Sequence, residues 1–180
     1  MKRILGWQRL DSVGLEYAEA EFEPLCLAGV AFFSEGGTPC VVTYRVKCDS
    51  SGLTTRAMVR LRRAGVASTR RIVRRADGSW TVDGKVIPQL AGLTDVDISV
   101  TPSTNTLPLR RLRLAIGERQ EVTAAWVRFP SFDVVPLHQA YRRAAPNAYQ
   151  YESHDLSFRA ELTVDSDGLV ERYGDLWTRL

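Results

Sequence analysis

The chain has 180 residues, room for one domain or at most two small ones, and a monomer of this size buries about 70% of its unfolded surface without disulfide or metal staples. Hydrophobic residues at 44% and charged residues at 25% exclude a disordered chain, and a net charge of +3 is too small for a general polyanion binder. No apolar run approaches the roughly 20 residues of a membrane-spanning helix.

Met1-Lys2-Arg3 opens like a signal peptide, but Gln8, Arg9, Asp11 and Glu16 interrupt any apolar stretch behind it. The chain therefore reads as cytoplasmic, and as one domain over residues 1–180. A first strand is predicted over Ile4–Leu10. Ala18, Ala20 and Phe22 then oppose Glu19, Glu21 and Glu23, which is the period of a strand with one wet face. Strands follow at Leu27–Phe33, at Val42–Cys48, where Thr43, Arg45 and Lys47 alternate with apolar residues, and at Thr54–Arg63, Thr69–Ala76 and Trp80–Val82. Gly36-Gly37, Ser51-Gly52, Ala64-Gly65, Asp77-Gly78 and Asp83-Gly84 fall between these runs at the spacing of a meander. Val96, Ile98 and Val100 oppose Asp95, Asp97 and Ser99. Short helices are expected at Leu109–Ala115 and near Asp175–Arg179, and strands at Val122–Phe129, Val134–Arg142, Leu156–Val164 and Leu169–Tyr173. So many strands must curl or close, because a wide open sheet leaves edges and an unprotected face. The concave side of a curled sheet commonly holds a ligand or a plugging helix.

Candidate chemistry is sparse. Eight arginines lie between Arg56 and Arg75, with no acid from Ser50 to Ala76. A basic ribbon of this kind grips phosphate in some proteins, but no aromatic pair interleaves it. Glu19, Glu21 and Glu23 are the expected counter-charges, and no nucleic-acid partner is expected. His138 and His154 stand in no nucleophile motif. Cys26, Cys40 and Cys48 are odd in number without CxxC spacing, so no zinc site or disulfide framework is suggested. No metal or other cofactor is expected. Asp95-Val96-Asp97 is formally a DxD, yet there are no βαβ units and no glycine-rich phosphate loop. Four tryptophans and six tyrosines suffice to line a cavity.

The stretch Asp95-Val-Asp-Ile-Ser-Val-Thr-Pro-Ser-Thr-Asn-Thr-Leu-Pro-Leu-Arg-Arg-Leu112 resembles the signature of a bacterial family named putative glycolipid-binding. Gly78-Ser-Trp80 followed by Gly84, the segment from Phe129-Pro130 to Gln139-Ala-Tyr141, and the run from Val164 through Gly168 to Tyr173 and Trp177 agree with it, so the resemblance spans nearly the whole chain. Leu93, where many members have cysteine, and Gly174, where many have proline, depart from the pattern. The resemblance implies a highly curved, mostly antiparallel sheet rolled partway round a cavity and likened to periplasmic lipoprotein carriers. Within it, Pro102 ends the strand, and Leu109, Leu112 and Ala115 have helical spacing. That places a short helix as a plug, with Arg110, Arg111 and Arg113 around it, either holding an acidic head group or bracing Asp95 and Asp97.

The expected fold is mainly β, a single antiparallel β-roll or open barrel with one or two short helices. The expected function is non-enzymatic binding of an amphipathic molecule, a glycolipid or fatty-acyl compound, in the cavity. The residues expected to line the site are Asp95, Asp97, Thr101, Asn105, Arg110, Arg111, Trp80 and Tyr141. The alternative is an enzyme acting on a glycolipid or sugar-containing ligand with Asp95 and Asp97 as its acid–base or metal pair. A third reading is an interaction module whose cavity is a packed core.

Overall fold

The computed structural model describes the whole chain, Met1–Leu180. Its first half is a meander of β1 (Lys2–Arg9), β2 (Gly14–Phe22), β3 (Leu25–Glu35), β4 (Thr38–Cys48), β5 (Thr54–Arg63), β6 (Val66–Arg74), β7 (Trp80–Val82) and β8 (Lys85–Val86). Period two decides which side chains go inside. In β4, Cys40, Val42, Tyr44, Val46 and Cys48 are buried while Thr43, Arg45 and Lys47 are exposed. Three hairpins close through two residues that both have positive φ: Gly36-Gly37, Ala64-Gly65 and Asp83-Gly84. This is the turn whose twist matches that of the flanking strands.

The second half begins with β9 (Asp95–Ile98), a 3-10 turn at Ser103–Asn105 and the helix α1 (Thr106–Leu112). It continues through β10 (Arg119–Val127), β11 (Val134–Ala145), β12 (Ala148–Ser153), β13 (Phe158–Val164), β14 (Val170–Tyr173) and β15 (Trp177–Arg179). β15 pairs with β1, Trp7 opposite Arg179, so all fifteen strands form one sheet in the order β8 to β1, then β15 to β9. The two chain ends lie side by side in mid-sheet, and β8 and β9 are its two edges. The sheet does not close by a ladder. Instead the Thr54 N–H donates to the Thr94 carbonyl at 2.9 Å, and Trp80 Nε1 and Arg74 Nε donate to the Leu93 carbonyl at 3.0 and 3.1 Å. These bonds tie the segment before β9 against β5, β6 and β7.

Four details differ from the sequence reading. β9 and β10 are parallel, so β9–α1–β10 is a βαβ crossover where none was expected, with Ser99–Glu118 supplying the connection a parallel pair needs. Residues 177–179 form a strand, because Trp177 and Thr178 are paired with both β14 and β1. The helix begins and ends three residues early. Pro108 sits in its first turn, where a missing N–H costs nothing, and Arg113 adopts φ 49°, which stops it. β8 and β12 were not foreseen. β12 alternates only mildly, burying Tyr149, Tyr151 and Ser153.

The interior is filled. One cluster of 37 buried apolar residues runs from Trp7 and Trp80 to Tyr141 and Trp177, and includes Leu107 and Leu109 of α1. Leu107 and Leu109 place α1 inside the roll as a plug, and the accessible surface of 8922 Å² is close to the roughly 8,700 Å² that size scaling gives for a monomer. No helix is long and apolar enough to cross a membrane.

Candidate functional site

The polar residues of the Asp95–Leu112 motif are wired to one another and to the sheet. Asp95, only 2% exposed, receives both Nη2 (2.5 Å) and Nε (3.2 Å) of Arg111. This fork locks α1 to β9. Arg110 donates to the Asp167 carbonyl, and its guanidinium lies 4.6 Å from the Phe22 ring centroid. Thr104 Oγ1 accepts from the Ile98 N–H, and Asn105 accepts from the Tyr141 hydroxyl at 2.8 Å while donating to the Pro102 carbonyl. Thr101 donates to Glu16 Oε1 at 2.7 Å, and Tyr44 reaches Glu16, Ser103 and Thr101 from the far side.

Glu16 is the buried carboxyl that the sequence reading missed. It is 3% exposed, and Oε2 has no partner. Burial pushes its pKa up to about 8, against the lowering effect of the bonds from Tyr44 and Thr101. It is therefore a neutral acid at physiological pH. The signal was present: Glu16 continues the Ala18, Ala20, Phe22 face two residues further back, and an acid on an apolar face is anomalous.

Two clefts flank this plug. The first, of about 590 Å³, opens between the β2–β3 turn, the β4–β5 loop and α1, and is lined by Arg110, Arg111 and Arg113 together with Glu23 and Asp49. Two of its arginines are already engaged by Asp95 and Asp167.

The second cleft, of about 350 Å³, lies where β9 faces the C-terminal strands. Its wall is aromatic: Trp126 of β10, Tyr151 of β12, Phe158 of β13, Tyr173 of β14 and Trp177 of β15. Tyr151 and Tyr173 meet edge to face at 5.6 Å, and Phe158 and Tyr173 at 6.0 Å, which fixes the ring orientations. Trp126 Nε1 donates to Ser99 Oγ at 2.6 Å. Asp97, Ser99, Thr101 and Asn105 supply one polar side and Arg9 another. Gln139 Nε2, itself buried, bridges Asp97 Oδ2 (2.7 Å) and the Tyr151 hydroxyl (2.9 Å). Asp97 accepts no other hydrogen bond from the chain. Burial pushes its pKa up to about 6, opposed by the Gln139 bond and assisted by the Asp95 charge.

The structure thus separates the residues singled out in the sequence. Asp97, Thr101 and Asn105 share the aromatic cleft, and Arg110 and Arg111 line the other. Asp95 sits between, with both oxygens committed to Arg111, so the expected bracing of both aspartates by arginine holds for Asp95 and not for Asp97. Trp80 and Tyr141 are fully buried core residues, the first bonded to the Leu93 carbonyl and the second to Asn105. No three His, Cys, Asp or Glu side chains converge anywhere. His138 pairs with Asp155 at 3.0 Å on the exposed outside.

Residues 4–179 match the sequence profile of the family described as putative glycolipid-binding. The chain belongs to that family. Its Asp95–Leu112 signature maps onto β9, the 3-10 turn and α1, the segment that plugs the roll and shapes both clefts. Among solved structures, the chain is similar to a DUF1089 family protein from Pseudomonas aeruginosa, with a TM-score of 0.85 and 30% sequence identity over 93% of this chain and 92% of that one. No curated protein matches the chain. The family's curved, mainly β fold is therefore the fold of this chain.

Proposed function

We propose that the chain binds, without turning it over, an amphipathic molecule whose hydroxyl-bearing head occupies the aromatic cleft. One observation carries this reading: Asp97 has one oxygen held by Gln139 and the other without a partner, at the end of a wall of five aromatic rings. Aromatic faces stack on the apolar faces of a sugar ring. A carboxylate accepts from its hydroxyls with charge-assisted bonds, and the exposed Ser99 adds a further polar group. The volume of about 350 Å³ lies at the lower end of small-molecule sites, so it suits a head group and the start of a tail rather than a whole glycolipid. The family's description supports the same chemistry.

A direct test is thermal unfolding with alkyl glycosides. The melting temperature rises with the glycoside in the parent chain, and the rise is lost in Asp97→Asn. An unchanged rise in Asp97→Asn would place the ligand elsewhere.

A second reading, an enzyme acting on a sugar-containing ligand, has one observation in its favour. A carboxyl with a pKa near 6 in a cleft is suited to general acid–base work. Hydrolysis of a nitrophenyl glycoside that disappears in Asp97→Asn would favour it. Saturable binding without product favours the carrier.

A further inference from the structure

Only one end of the basic face meets the counter-charges expected of it: Glu21 and Glu23 share a pocket with Arg45, Lys47 and Arg56, whereas the cross-strand rows of Arg60 and Arg62 hold no acid. Glu19 lies on β2, separated from β5 by β3 and β4, and pairs with Lys2 at 2.8 Å. On the outer face of β4, β5 and β6, six cations are exposed: Arg45, Lys47, Arg56, Arg60, Arg62 and Arg71. None forms a salt bridge, and neither β4 nor the stretch Ser50–Ala76 contains an acid.

Register brings exposed apolar side chains beside them. Phe32 of β3 stands opposite Val41, which stands opposite Arg62. Val30 stands opposite Thr43, which stands opposite Arg60. Leu15 and Tyr17 extend these two rows onto β2. Phe32 is 45% exposed and Leu15 53% exposed. With strands about 4.8 Å apart, the outer face carries a basic strip and an apolar strip side by side.

We propose that this face docks on an anionic lipid bilayer, the cations at the head groups and Phe32, Leu15 and Val30 in the interfacial layer. Basic residues near a surface gain from the negative potential of anionic lipid, and apolar side chains among them gain only where there is hydrocarbon to enter. Nucleic acid would use the cations but leave Val30, Leu15 and Phe32 without a partner. The small net charge of +3 does not oppose this, because the field is local and acts within a Debye length. The inference is independent of what occupies the aromatic cleft.

The test is flotation of the full chain with phosphatidylcholine vesicles, with and without phosphatidylglycerol, at low and physiological ionic strength. Binding is expected only with phosphatidylglycerol, and weaker at higher salt. The double variant Arg60→Glu/Arg62→Glu loses about tenfold or more in partitioning, while Arg142→Glu, an exposed cation on β11, retains it. The exposed positions leave the melting curve near that of the parent, so loss of binding is not loss of fold. Phe32→Ser/Leu15→Ser retains electrostatic binding at low salt and loses it first as salt rises. The proposal is overturned by equal binding to phosphatidylcholine, by no binding to either vesicle, or by an unaffected double charge reversal. Tighter binding to a nucleic-acid oligomer than to phosphatidylglycerol at the same salt would also overturn it.

Discussion

The Tyr44 hydroxyl lies 2.5 Å from Glu16 Oε1, reaching it across Gly29 on the strand between them. With Thr101 and Ser103 this makes a closed polar knot beneath the plug, and one wall of the aromatic cleft, Thr101, belongs to it. Folding therefore keeps a carboxyl protonated.

Glu16 should accordingly imprint itself on stability as a function of pH. Its folded pKa of about 8 exceeds the ordinary value of 4.5, so the folded state holds a proton that the unfolded chain releases. Its favourable contribution is full below the unfolded value and declines as pH rises towards 8. Glu16→Gln removes the decline. The stability of the variant relative to the parent should increase by roughly 3–4 kcal/mol between pH 5 and 8, measured by urea unfolding at each pH. A constant difference would mean that Glu16 titrates normally.

Gly29 is needed because the Tyr44 ring occupies the space its side chain would fill. A Cβ there would lie 2.5 Å from the Tyr44 hydroxyl oxygen and 2.7 Å from two ring carbons. Gly29→Ala should cost about 1–3 kcal/mol through overpacking. Much of that should be recovered in the Gly29→Ala/Tyr44→Ala background, because the two sites share one volume. Additive losses would contradict this.

Arg111→Leu leaves Asp95 buried without its partner, and loss of about 3 kcal/mol is expected, the low end for broken buried pairs because Arg111 is partly exposed. Arg111→Lys should recover only part of this, since it cannot reproduce the two-point contact. Melting within a couple of degrees of the parent would show that α1 is held by its apolar contacts alone.

At the β5–β6 turn, Ala64 has φ 50°, a conformation costly for a residue with a plain Cβ and tolerated by asparagine. Ala64→Asn should stabilise the chain by about 0.5–1 kcal/mol, read from the midpoint of urea unfolding. No gain would mean that the turn relaxes in solution.

The strands were legible because one face of nearly every one is wet. In β5, Ala57, Val59 and Leu61 alternate with Arg56, Met58, Arg60 and Arg62, and its bounds follow from sequence. The crossover was not legible, because β9 is buried on both faces and Asp95 looks like a polar-face residue until Arg111 folds back onto it. The site was half legible. Asp97, Thr101 and Asn105 belong to a recognisable motif, but they meet Trp126, Tyr151, Phe158, Tyr173 and Trp177 only through the pairing of β9 with β10, and Arg9 joins them only through the pairing of β15 with β1. No local pattern encodes those two pairings. That Arg60 and Arg62 lie beyond the reach of the β2 acids was not legible for the same reason, since strand order decides which charges are neighbours.

The central claim, that Asp97 and the aromatic wall bind a hydroxyl-bearing amphipathic head, is tested most directly by calorimetric titration of an alkyl glycoside across pH 5 to 8, with the matched alkane as control. Because the Asp97 pKa stands at about 6, the carboxylate forms as pH rises through that value. The account predicts that glycoside affinity increases through pH 6, that Asp97→Asn removes the pH dependence and most of the affinity, and that the alkane fails to bind. Alkane binding equal to that of the glycoside, or an affinity indifferent to both pH and Asp97→Asn, would contradict it.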